Sequence, residues 1–202
     1  MNRFRLPSFS AALALAGAGL LSLASAAPPE EGFDEKLYRN GLALVQAGQT
    51  DHALRTFKEL LDGYPTSPRA DDALFRSGDL FYSNDAIDGL HRAEADPIAR
   101  ALPFFERIQA EYPRSDNAAA ALHRLALLAL EGRNPKRSPV EAYARFSRLL
   151  ALYPESPLVD RALLGAANAQ MQLGDCGLAL FHLDRLFERF PGSPAADAGR
   201  FL

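Results

Sequence analysis

The chain has 202 residues, enough for one domain with a substantial core. Hydrophobic residues make up 48% and charged ones 23%, a globular balance that excludes a disordered or low-complexity protein. The net charge is −3 with no block of Lys or Arg, which excludes a nucleic-acid binder working through phosphate contacts.

Arg3 and Arg5 give a short positive start, and Phe9 to Leu23 is an apolar run rich in Ala, Leu and Gly. Ala24-Ser25-Ala26 then offers the small residues a signal peptidase reads, before the chain turns polar at Pro28-Pro29-Glu30. The pattern predicts a signal peptide over 1–26, cleaved after Ala26, and a short linker over 27–33. The competing reading is an uncleaved anchor, for which the run is short, since a bilayer span needs roughly 20 apolar residues. No Cys follows the run to carry a lipid. The expectation is an exported, periplasmic protein, at most peripheral to the outer membrane, not lipidated, with no integral membrane segment after cleavage. Loss of Arg3 and Arg5 leaves 20 of the 22 basic residues against 25 acidic ones, a net charge of −5.

Helices are predicted near 34–48, 50–62, 68–83, 97–111, 116–131, 138–151, 156–172 and 175–188, with a short one from 194. Four related stretches punctuate them: YPTSPRADDAL from Tyr64, YPRSDNAAAAL from Tyr112, YPESPLVDRAL from Tyr153 and FPGSPAADAGR from Phe190. The aromatic-Pro pair stops one helix. Ser67, Ser115, Ser156 and Ser193 are placed to cap the next, with Pro68, Pro157 and Pro194 at the first helical position. Before each stop, Ala53, Ala101, Ala142 and Ala179 lie twelve residues ahead of the Pro. Phe57, Phe105, Phe146 and Leu183 lie eight ahead, on the same helix face. The single cysteine, Cys176, sits at a helix-helix turn; it reads as unpaired, the alternative being a bridge to another chain.

Gly41, Gly48, Ala53, Phe57 and Pro65 in the first unit, and Ala167, Gly174, Ala179 and Pro191 in the last, resemble the tetratricopeptide repeat (TPR). The resemblance implies an all-α, right-handed superhelical solenoid of about four helical hairpins over 34–202. The repeats run about 34–66, 67–114, 115–155 and 156–192, with a short capping helix over 194–202. From small residue to Ala the interval is twelve in the outer units but 23 from Gly78 to Ala101 and sixteen from Ala126 to Ala142. Insertions at about 83–97 and 132–139 therefore sit at hairpin tips, either as binding loops or as longer hairpins without a role. The turn YPxSPxAxxAL is similar to repeats of bacterial envelope proteins, the β-barrel assembly lipoprotein BamD and the periplasmic TPR partner of the Tol–Pal system (YbgF/CpoB). The first carries an acylated Cys and the second a coiled-coil segment, and this chain shows neither.

The resemblance implies a concave surface built from the first helix of each hairpin. Carried over, it holds Tyr38, Leu42 and Val45, then Phe75, Asp79 and Tyr82, then His123, Leu127 and Leu130, and last Arg161, Leu164, Asn168 and Met171. Such a groove is apolar with few charges and suits an extended or helical peptide, though each residue could equally pack between helices. Only Arg161 and Asn168 are of the kind that clamps a carboxylate. Of the four histidines, His91-x-x-Glu94 offers one pair of potential ligands, outweighed by a solvated loop. No nucleophile elbow, phosphate loop or dinucleotide fingerprint occurs. The expected function is a non-catalytic scaffold or adaptor with a protein or peptide partner from the cell envelope and no cofactor. Two other readings stay open: a metal-dependent enzyme using the insertion after Phe81, and a structural subunit whose repeats are pure interface.

Overall fold

A computed structural model describes residues 32–82, 97–132 and 134–202. The expected signal peptide and the larger insertion, with His91 and Glu94, lie outside the described residues. Among the described residues there are nine helices and no strand. They are α1 (Phe33–Gln46), α2 (Thr50–Gly63), α3 (Ala70–Tyr82), α4 (Pro97–Glu111), α5 (Asn117–Leu130), α6 (Pro139–Leu152), α7 (Val159–Leu173), α8 (Cys176–Arg189) and α9 (Pro194–Gly199). Consecutive pairs form four hairpins, α1 with α2 through α7 with α8, and α9 closes the stack against α7 and α8.

The four aromatic-Pro turns share one hydrogen-bond pattern. The Ser67, Ser115, Ser156 and Ser193 N–H groups donate to the carbonyls of Tyr64, Tyr112, Tyr153 and Phe190. In the first three, the Ser carbonyl accepts from the residue three on (Ala70, Ala118, Val159), a tight turn that delays the α-helix. The capping expectation holds in part there: Ser67 and Ser156 each accept a backbone N–H two residues on, whereas Ser115 caps nothing. Ser67 Oγ donates to Asp34 Oδ2 (2.6 Å) and accepts from Arg69 N–H, Ser156 Oγ accepts from Leu158 N–H, and Ser115 Oγ is buried without a partner. Ser193 caps its helix three residues on, accepting from Ala196 N–H (3.1 Å) with Pro194 opening the helix. The turns are also tied to one another. Tyr112 Oη donates to the Pro65 carbonyl (2.6 Å) and Tyr153 Oη to the Pro113 carbonyl (2.9 Å), so each turn holds the one before it. Phe190 has no hydroxyl to continue the series.

Close approach is achieved by glycine against a buried phenyl ring. A Cβ on Gly41 would lie 2.8 and 2.9 Å from two Phe57 ring carbons, and one on Gly78 equally near Phe105. Both are contacts inside one hairpin, as the repeat pattern implies. Phe146 differs: its ring crosses to Gly165 in the next hairpin, where a Cβ would stand 2.6 Å from both Cε atoms. Phe57, Phe105 and Phe146 are fully buried, the anchors of an apolar core that runs along the stack in three clusters.

The two rows of helices are spaced differently. First helices approach directly, α3 on α5, α5 on α7 and α7 on α9. Second helices meet through side chains. Arg145 of α6 donates to the Leu125 carbonyl (2.8 Å) and faces Glu106 of α4, while Tyr143 of α6 meets His182 of α8 with ring centroids 5.6 Å apart. From α3 onward the first helices are therefore the closer-set row, and the closer-set row of a curved solenoid is its inner one.

Candidate functional site

The inner row carries all the residues proposed for the groove, and the structure sorts them into three kinds. Tyr38 and His123 are core residues. Tyr38 is 8% exposed, its ring 6.0 Å from Phe57 and under the Arg69 guanidinium. His123 is 9% exposed and stands edge-on to Phe146 at 5.8 Å. Burial, with Arg124 and Arg161 nearby, holds its imidazole neutral with a pKa of about 4. Leu42, Val45, Leu127, Leu130 and Leu164 are half-buried, packed on the clusters with one edge outward.

The third kind carries polar or aromatic surface, much of it half-buried, and is organised by charge. Asp79 of α3 pairs with Arg124 of α5 (2.8 Å), and the same guanidinium lies 4.9 Å over the Tyr82 ring. Phe75, one turn back on α3, is half-buried edge-on to Phe105 at 5.6 Å. These residues bridge the second and third repeats into one amphipathic patch, with aromatic surface beside a close ion pair whose Asp79 Oδ1 is buried. Further along, Arg161 is exposed, Met171 is 40% exposed, and Asn168 Oδ1 accepts from Gln172 (2.8 Å). Sequence reasoning missed Arg124. The available signal was that it is the single formally charged residue of α5, an otherwise apolar helix.

The smaller insertion is tightly bonded. Asn134 Nδ2 donates to the Leu128 carbonyl (2.8 Å), Ser138 Oγ accepts from Glu141 N–H, and Arg137 reaches both the Leu130 carbonyl and the Gln172 side chain. Cys176 is exposed and unpaired. No helix among the described residues is long and apolar enough to cross a membrane, and no three of their His, Cys, Asp or Glu side chains converge as metal ligands.

Two stretches, residues 37–67 and 161–193, match the family model described as tetratricopeptide repeat. They fall on the first and last hairpins, the two without insertions. No curated protein matches the chain. Among solved structures it is similar to MamA (41-end) from Desulfovibrio magneticus RS-1, at 19% identity, covering 80% of this chain and 77% of that one with a TM-score of 0.57. It is also similar to YrrB, described as a TPR protein with an unusual peptide-binding site, at 17% identity, covering 82% and 91% with a TM-score of 0.42. At such identities the likeness to MamA establishes the fold, a TPR-type α-solenoid, and leaves function to be argued from the site.

Proposed function

We propose that this protein is a non-catalytic adaptor that holds a peptide segment of a partner protein along its inner helices. The observation that carries the reading is the patch of Phe75, Tyr82, Asp79 and Arg124, extended by Leu127. It is aromatic, half-exposed and pre-organised, because the Arg124–Asp79 pair fixes the guanidinium over Tyr82. Aromatic and Arg side chains of this kind dominate binding energy in protein interfaces. The apolar N-terminal run and the YPxSPxAxxAL turns support a finer reading: an exported protein, periplasmic and not lipidated, serving the assembly of the outer membrane or envelope. Its partner in that reading is another envelope protein.

The test is a pull-down from solubilised envelope with the wild-type protein and a Tyr82→Ala/Leu127→Ala/Met171→Ala variant. These positions keep part of their surface outside the core, and circular dichroism checks that the variant stays folded. Loss of specific partners from the folded variant is the expected result. Identical partners with both proteins would refute the groove.

A further inference from the structure

A second recessed surface lies on the outer row of helices. Between α2 and α4, above α3, there is a pocket of about 520 Å³. Its floor is apolar, made by Leu54 and Leu61 of α2, Phe81 of α3 and Phe104 of α4. Phe81 and Phe104 stack with centroids 5.6 Å apart, so the floor is a rigid aromatic surface. Its rim carries Arg55 and Lys58 on one side and Arg100 and Arg107 on the other, with Asp51 at the start of α2 and Asp62 at its finish.

The pocket is not a general consequence of stacking hairpins. The equivalent space between α4 and α6 is occupied by Arg145 reaching the Leu125 carbonyl, and that between α6 and α8 by the Tyr143–His182 contact. Its charges are also unequally matched. Lys58 pairs with Asp62, and Arg107 makes a two-pronged bond to Glu111 (3.0 and 3.1 Å). Arg55 and Arg100 have no acidic partner among the described residues, in a chain whose net charge is −3. Arg100 is held 4.2 Å over the Phe81 ring, its charge aimed across the floor.

We infer that this pocket is a second binding site, for an acidic peptide segment that places a bulky apolar side chain between two carboxylates. The spacing of the cations carries the peptide assignment. Arg100 and Arg107 are seven helical residues apart, about 10 Å at 1.5 Å per residue. Side chains of an extended chain alternate faces, so carboxylates at positions i and i+4, about 13 Å apart, point to one side. They reach Arg100 and the Arg107 Nη1 group that Glu111 does not use, while the apolar side chain at i+2 between them meets Phe81 and Phe104. A single phosphate needs converging donors, whereas these cations are strung along a groove. The site uses the outer helices and stands independently of the inner groove.

The probe is a fluorescein-labelled, end-blocked peptide Glu-Ser-Phe-Ser-Glu, with Lys-Ser-Phe-Ser-Lys and Glu-Ser-Ser-Ser-Glu as controls, followed by anisotropy with the full chain. Wild type is expected to bind the first peptide at least about tenfold more tightly than either control, with affinity falling as salt rises. The Arg55→Glu/Arg100→Glu variant, which breaks no observed contact beyond the Arg100–Phe81 stacking, is expected to lose about tenfold or more. The inner-groove variant keeps full affinity. Equal binding to Glu-Ser-Ser-Ser-Glu, unchanged binding by the charge-reversed variant, or no binding by wild type overturns the proposal. So does binding that appears only after Asp85, Asp88, Glu94 and Asp96 are changed to Asn, which would make the chain's own acidic segment the occupant.

Discussion

Gly165→Ala places the two main determinants of this stack in opposition. Alanine is the better helix former by about 1 kcal/mol, so on propensity alone the change stabilises α7. The new Cβ, however, would stand 2.6 Å from both Phe146 Cε atoms. That ring is fully buried and has His123 against it at 5.8 Å, so it has little room to retreat. Overpacking a closed core costs about 1–3 kcal/mol, and contacts this short belong at the upper end. The expected net loss is about 1–2 kcal/mol, a fall in Tm of roughly 2–8 °C for a chain of this size. Phe146→Leu removes the ring edge at its own cost of about 1–2 kcal/mol. In that background Gly165→Ala should become neutral or stabilising, a coupling of about 2 kcal/mol. Urea unfolding followed by circular dichroism, with slopes compared across the four proteins, measures the cycle. A Gly165→Ala protein as stable as wild type, or one equally destabilised with and without Phe146, would refute the reasoning.

Two further outcomes follow from contacts described above. Tyr112→Phe and Tyr153→Phe each remove one hydroxyl bond to a Pro carbonyl and should lower stability by about 0.5–1.5 kcal/mol in thermal melts. Phe190→Tyr, which has no such bond to lose, should show no loss. His123 is neutral when folded, with a pKa near 4 against an ordinary 6.5, so the unfolded chain binds more protons between those values. Stability present above pH 6.5 should therefore fall as pH drops toward 4, by up to about 3 kcal/mol. His123→Leu should flatten that slope, leaving the smaller part due to His182, whose pKa burial also lowers. A urea midpoint equally pH-dependent in the variant would show that other groups govern it.

The helices were legible because their ends are chemical. Pro cannot continue a helix, and Gly174 at φ +81° closes α7 where other residues are strained. The serine caps were legible at three of the four turns, whereas the Ser115 hydroxyl, in the same kind of turn, makes no bond. Ser67 caps and also donates to Asp34, 33 residues away, a bond that no local pattern announces. The groove was legible only as a row. A first helix is packed against its own hairpin and against the next first helix, so its buried arc is wide. Tyr38 and His123 fall inside that arc while Tyr82 and Met171 fall outside it. The Arg124–Asp79 pair depends on register between repeats, and the outer pocket on which side chains leave space unfilled; neither is a periodic property of the sequence.

The tyrosine hydroxyls have a mechanical consequence. They bond backbone to side chain at every handover between the first three aromatic-Pro turns, so that margin of the stack is a spine of fixed length. At the opposite margin, Arg137 and Gln172 join the last two hairpins through two long, rotatable side chains. A load applied to such a molecule meets a hinge with one stiff side, and the hairpins spread like the leaves of a fan, opening at their tips while the spine keeps its length.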